Sequence, residues 1–492
     1  MSFQALLAAR AHTDGRALPT AIRRHRALSD DPLCIVAWQL GAEAYSVGAI
    51  AIGRKSSGFK LFVPGYPLNR DLLFAALVGF AKEFCPAFED FAGGPCEDIL
   101  HHGAELAVPL ELPQIVVPNA QTIGLLGRLG RRLAYLPTTG PHPADPLLPC
   151  LGRHLMWIAD HAQMPGQQLI VSATDLLTTH YASAMSAIEM QSLPAMDAWI
   201  DPPAGMHGFN AAELAEIHAV GPVPSPRDGE LVHSLMHTFN DQRAGSTDPG
   251  VVDKLVWPLR AHYRSMVDQT WNLMWKVVAR EKPKPEAASV VRRVREDRIA
   301  FAAHLQWMAG PAEGRRKTRM TARGAAMRLH DLEQAHARLL AEEAIDDPLR
   351  MAPHLLAGKA LAGVVIDCDK THRELINSRK CLRPRVIVRT QEPCLMLPGA
   401  KVWWTQMPDG REWLLGSVIA ASGGSDVTLI LQTNRVSDVC LPIVGSRACF
   451  SQFNTRPGYE LFLPQQAPWT HLAAAPPFPV DLDYSELGEQ AA

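Results

Sequence analysis

The sequence predicts an α+β, multidomain protein: a small N-terminal α/β layer, an α-rich middle carrying a basic helical hairpin, and a small antiparallel β-barrel or curled sheet towards the C-terminal end. Three observations lead there. Short apolar runs broken by glycine alternate with helical periodicity in the first part of the chain, helical spacing dominates the middle, and strand-length runs separated by turn residues fill the last third. A length of 492 residues fits two to four domains on a prior of roughly 150 residues each. With 47% hydrophobic and 20% charged residues, the composition is that of a packed chain, far from the polar, highly charged corner where disorder wins.

Residues 34–40 (CIVAWQL), 45–52 (YSVGAIAI) and 59–63 (FKLFV) read as strands, 69–84 as a helix, 114–117 (QIVV) as another strand and 122–133 as a helix entered through Pro118-Asn119. Together they predict an α/β domain over 1–136. The Pro/Gly punctuation of 137–149 sustains neither a helix nor a central strand and marks a boundary. Helical readings follow at 151–162, 173–187 and 195–199. A second linker at 221–229 precedes helices at 230–240 and 255–280, giving an α-helical domain over 150–280. Val291, Val294, Phe301, Leu305 and Met308, then Ala325, Leu329, Leu332, Leu339 and Leu340, keep helical spacing on either side of a breaker at 310–314. That pattern predicts an antiparallel helical hairpin over 289–346. Runs at 361–366, 385–390, 402–405, 413–420 and 427–431, with turns at Pro408-Asp409-Gly410 and Ser422-Gly423-Gly424, predict a barrel-like domain over 358–464. Residues 465–492 form a Pro/Ala-rich tail.

Composition also narrows the setting. The nine cysteines, Cys34, Cys85, Cys96, Cys150, Cys368, Cys381, Cys394, Cys440 and Cys449, include no CxxC pair, which argues for reduced thiols. The first residues carry charge and no apolar core of a signal peptide, and the most apolar stretch, 72–81, is about half the roughly 20 residues a helical span needs. A cytoplasmic protein with no membrane partner is expected.

Charge is the main functional signal. Formal net charge is −2, but between Lys276 and Arg328 fourteen Lys/Arg face five Asp/Glu, leaving the rest of the chain at −11. Arg292, Arg295 and Arg298 lie on the first helix of the hairpin, Arg315, Arg316, Lys317 and Arg319 at its tip, and Arg323 at the entry to the second. Such a projecting basic element neutralises phosphates through counterion release without reading bases, and arginine forks onto phosphate oxygens. Glu296 and Asp297 follow Arg292 and Arg293 by four residues and offer ordinary ion pairing. The tip has only Glu313 nearby. The reading is a non-catalytic, nucleic-acid-associated protein without a cofactor, an acidic protein being the alternative partner. Trp403, Trp404 and Trp413 are candidates for base stacking, although strand alternation sends Trp403 and Trp404 to opposite faces. A helical arm followed by a barrel is similar to accessory inserts in nucleic-acid motor proteins, but no GxxxxGK[ST] loop is present.

Other patterns carry weaker chemistry. Residues 364–371, VVIDCDKT, resemble the first motif of the haloacid dehalogenase phosphohydrolases. That resemblance implies a Mg2+-dependent phosphohydrolase with Asp367 as nucleophile and Asp369 as acid/base, at the start of a parallel α/β core; the runs that follow read instead as hairpins. His233, His237 and Asp241 stand at i, i+4 and i+8 on a helix and offer two imidazoles and a carboxylate to a metal. His101-His102 beside Cys96 and Glu97 lack a second ligand pair. Gly124, Gly127 and Gly130 recur at helical period, so close helix packing is favoured over a phosphate-cradling turn. The opening strands and helix resemble ribonuclease-H-like layers, but the early Asp-x-Glu that two-metal nucleases need is absent from IVAWQLGAE, where Glu43 is the one acid. The Pro-rich linkers and tail motivate a third reading, a protein-interaction scaffold.

Overall fold

The structure, a computed structural model, describes residues 3–40, 46–101, 103–246, 248–310, 321–407, 410–421, 423–433 and 441–453. Helix α1 (Phe3–Asp14) and a two-residue strand β1 (Leu18–Pro19) precede an antiparallel meander of β2 (Leu33–Gln39), β3 (Val47–Arg54) and β4 (Gly58–Phe62). Helix α2 (Arg70–Glu89) starts at Asn69, whose side chain accepts from the N–H groups of Asp71 and Leu72, satisfying two of the donors every helix start leaves open. A hairpin, β5 (Cys96–His101) and β6 (Ala104–Pro109), leads to β7 (Ile115–Val117), which joins β2 in parallel. Helices α3 (Ala120–Leu133) and α4 (Leu147–His161) then carry the chain to β8 (Ile170–Ser172), parallel to β7. The sheet order is β4-β3-β2-β7-β8.

This sheet is covered on both faces, because β2 contributes alternate side chains to two cores, as a period of two requires. Leu33, Ile35 and Ala37 face a cluster built from α2, α3 and α4, with Phe80, Phe84, Phe88, Leu125, Leu129 and Leu155. Cys34, Val36 and Trp38 face the other way. There they meet the helices after β8: α5 (Ala173–His180), α6 (Leu193–Ile200), α7 (Gly208–Ala215), α8 (Pro226–Gln242), α9 (Pro249–Leu255) and α10 (Trp257–Glu281), while β9 (Tyr181–Ala182) pairs with β1. The Pro-rich segment 137–149 leads from α3 into α4, and these two helices pack on each other. The glycine period explains how α3 and α4 approach: a Cβ on Gly130 would sit 2.5 Å from the Met156 nitrogen, and one on Gly152 2.3 Å from that of Ala134.

Helices α11 (Ala288–Ala309) and α12 (Ala322–Asp346) form the antiparallel arm that their spacing predicts, cross-linked by Arg292 to Glu342 and Arg338 to Glu296. Helix α13 (Pro348–Leu356) delivers the chain to the barrel. Its strands are β10 (Ala360–Asp369), β13 (Arg385–Thr390), β14 (Lys401–Trp404), β15 (Trp413–Ala421), β16 (Gly424–Leu431) and β17 (Arg447–Ser451), closed in the antiparallel order β10-β13-β16-β15-β14-β17. Between β10 and β13 stands a hairpin, β11 (Arg373–Ile376) and β12 (Arg379–Leu382), turned by Asn377 and Ser378 at φ 48° and 64°, the left-handed pair that a two-residue hairpin loop needs. Val402, Trp404, Trp413 and Phe450 fill the barrel. No helix among the described residues is long and apolar enough to cross a membrane.

Candidate functional site

The basic arm divides into a base and a tip. At the base, Arg292 engages Glu296 and Glu342, Arg295 lies 3.4 Å from Glu97, and Arg298 donates to Glu97 at 2.9 Å and to the Pro109 carbonyl. These three arginines fasten the arm to itself and to the β5–β6 hairpin. Arg323 sits in the first turn of α12, and Arg315, Arg316, Lys317 and Arg319 lie outside the described residues.

Beneath the arm the structure forms a cleft of about 710 Å³, between α3, the end of α4, the start of α5 and α12. Arg26, Arg128 and Arg131 line it, with Asp175, Gln163 and His336. Each guanidinium is held in place: Arg26 donates to the Gln167 carbonyl at 2.6 Å, Arg128 to Gln39 Oε1 at 3.3 Å, and Arg131 lies 3.6 Å from Asp160. Burial pushes the Asp175 carboxyl up, against a hydrogen bond from Ser172 and the charge of Arg26. Three arginines and one carboxylate line the cleft, with Asp160 beside Arg131 at its edge, so the lining is net basic, and its size lies in the range of small-ligand pockets. From Leu339 and His336 in the cleft wall, α12 leads back to Arg328, which reaches the Asp160 carbonyl of α4 and Gln163 just beyond that helix.

The other patterns resolve differently. Strand β10 pairs antiparallel with β13 and β17, so the parallel core implied by the phosphohydrolase resemblance is not what surrounds Asp367 and Asp369. Asp367 pairs with Arg385 at 3.1 Å, and Asp369 accepts from the Thr371 N–H and hydroxyl, closing a local turn. His233 and His237 touch through their Nε2 atoms at 3.1 Å on an exposed face, and Asp241 does not complete a ligand trio with them. Cys96 and Glu97 point to different tasks, the thiol to backbone carbonyls and the carboxylate to the arm; His102 and Glu43 are outside the described residues. Strand β2 carries no acid; it ends at Gln39, whose N–H donates to the Pro222 carbonyl. Trp404 and Trp413 are barrel core, and Trp403 is half-buried.

One constellation was not anticipated from the sequence. Cys85 and Glu89 on α2 meet Cys150 and His154 on α4, and the ligating atoms of Cys85, Cys150 and His154 lie within 4.8 Å of one another. His154 Nε2 is 2.7 Å from Glu89 Oε1, and its Nδ1 is 3.0 Å from His304 Nε2 on α11. Burial alone would depress the His154 imidazole, yet hydrogen bonds to Cys150 and Glu89 raise it. A hydrogen bond from Cys85 holds the Cys150 thiol below its ordinary range. The signal was present as two pairs, Cys-x3-Glu and Cys-x3-His, each at the spacing that puts both side chains on one helix face. Compared with known proteins, the chain matches no family model, no curated protein and no solved structure.

Proposed function

We propose that the protein binds nucleic acid through its phosphate backbone, the arginine-lined cleft between α3, α4 and α12 seating the chain of phosphates and the basic arm extending the track. The observation that supports this reading is the convergence of Arg26, Arg128 and Arg131 on one cleft of about 710 Å³, where they outnumber the carboxylates of Asp175 and Asp160. Phosphate contacts of this kind give affinity that falls with salt and is indifferent to sequence. Arg292, Arg295 and Arg298 at the base of the arm are engaged by carboxylates, so on this reading the contacts fall to the cleft and to residues 315–319.

The test is fluorescence anisotropy with labelled single-stranded and duplex oligonucleotides over a salt series. Neutralisation of three phosphates by the cleft predicts a slope of log affinity on log salt of about −2.7 for duplex DNA, steeper if the tip adds contacts. The double variant Arg128→Glu, Arg131→Glu lowers affinity for every sequence alike, and the triple reversal at Arg315, Arg316 and Lys317 lowers it further. Absence of binding by the native protein at low salt, or equal affinity in native and cleft-reversed protein of native circular dichroism, overturns the reading.

A further inference from the structure

A helix brings residues four apart onto one face, one turn above the other. Helix α2 presents Cys85 and Glu89 in this way, and α4 presents Cys150 and His154. Packed side by side, the two helices place thiol near thiol and carboxylate near imidazole, four ligand types around one point. We infer that Cys85, Glu89, Cys150 and His154 form a tetrahedral site for a divalent cation of the zinc class. The inference stands independently of nucleic-acid binding.

Donor chemistry, charge and surroundings agree on this ligand. Two soft thiolates with an imidazole select zinc-class ions over magnesium or calcium, which prefer oxygen. Cys85 and His154 are buried at 3% and 0% exposure, in a layer of Phe84 and Phe88 whose rings lie 6.4 and 5.3 Å from that of His154. Two thiolates balance a dication within the apolar layer, and the one negative charge left over lies on Glu89, 45% exposed, which closes the fourth position at the rim and marks the route of entry. The outer shell is also built. His304 hydrogen-bonds His154 Nδ1 at 3.0 Å, which fixes the ring and leaves Nε2 towards the thiols and Glu89. Trp157 in turn stacks on His304 with centroids 4.3 Å apart and planes 7° apart. A hydrogen-bonded partner on the far ring nitrogen is the usual support of a metal-ligating histidine.

The experiment uses the full-length protein purified without chelator. Elemental analysis is expected to find one zinc per chain. After stripping and full reduction, titration with Co2+ is expected to give visible d–d bands of tetrahedral cobalt together with a near-ultraviolet thiolate-to-cobalt band, saturating at one equivalent. Cys150→Ser weakens that thiolate band and lowers zinc content, whereas Cys96→Ser, at an exposed thiol on β5, leaves both unchanged. Should Cys150→Ser not accumulate as folded protein, the titration of the reduced native chain decides. Metal-free protein whose cobalt spectrum stays featureless overturns the site. So does a denatured thiol count two short of nine in metal-free protein, which would assign Cys85 and Cys150 to a disulfide instead.

Discussion

Two polar clusters are buried behind opposite faces of the central sheet, and they are built on different plans. Behind the face covered by α5 and α10, His25, His180, Glu281 and Asp347 are all fully enclosed, and two of them, His180 and Asp347, hold backbone N–H groups. His180 Nε2 accepts from the His25 backbone N–H at 3.2 Å and its Nδ1 lies 2.8 Å from Glu281, which also pairs with Lys284 at 2.7 Å. That arrangement fixes the tautomer as Nδ1–H. Burial pushes the imidazole down, and the His180 and Lys284 contacts hold Glu281 down against its burial. The ring thus stands between the His25 backbone and the Glu281–Lys284 pair. Asp347 accepts from the N–H groups of Ile22, Arg23 and Leu349 at 2.7 to 2.8 Å. Behind the other face, the cluster around His154 consists of side chains alone, soft and convergent, and reaches solvent through Glu89. The contrast separates polar burial that fastens backbone from polar burial built of side chains alone.

The largest effect expected from breaking this contrast is at Asp347. Asp347→Ala leaves three N–H groups and His25 without their acceptor and should cost about 3 to 5 kcal/mol in urea denaturation; a loss under about 1 kcal/mol would deny the cluster its fastening role. Acid is the next lever. Burial pushes the Asp347 carboxyl up, but His25 and the backbone donors hold it down to about 2. Its contribution, about 2.4 kcal/mol at one pKa unit per roughly 1.4 kcal/mol, is therefore present above the unfolded value and lost as pH falls from about 4 through about 2. A denaturation series in that window should show the native protein losing about 2.4 kcal/mol more stability than Asp347→Asn, whose remaining loss comes from other carboxylates held down in the fold, such as Glu281. On the opposite face, His304→Gln should leave the fold intact and weaken zinc binding by about 10- to 100-fold, roughly 1.4 to 2.7 kcal/mol, read by competition with a chromophoric chelator. The smallest effect is Glu89→Gln in stripped protein: at a half-exposed rim position it should change stability by less than about 1 kcal/mol, while zinc affinity drops.

The elements were largely legible, because period carries them. Strands β2 and β3, helices α2 and α3, the arm and the strand-rich last third all follow from spacing and turn residues. Strand β8 was hidden: three residues are too few for a period, and it adds to the sheet only after the Pro-rich segment. Local charge counting had no access to Glu342, 50 residues from Arg292, or to Glu97, 201 residues from Arg298. The same distance in sequence hid the thiol cluster. Cys85 with Glu89 and Cys150 with His154 are each an unremarkable helix face alone, and their meeting depends on how α2 and α4 pack on each other through Phe84, Phe88, Leu151 and Leu155.

The carboxylate of Asp347 clasps backbone 325 residues upstream at Ile22. During synthesis the segment leading into the central sheet therefore stays unlatched until the ribosome has made the arm and passed its last turn.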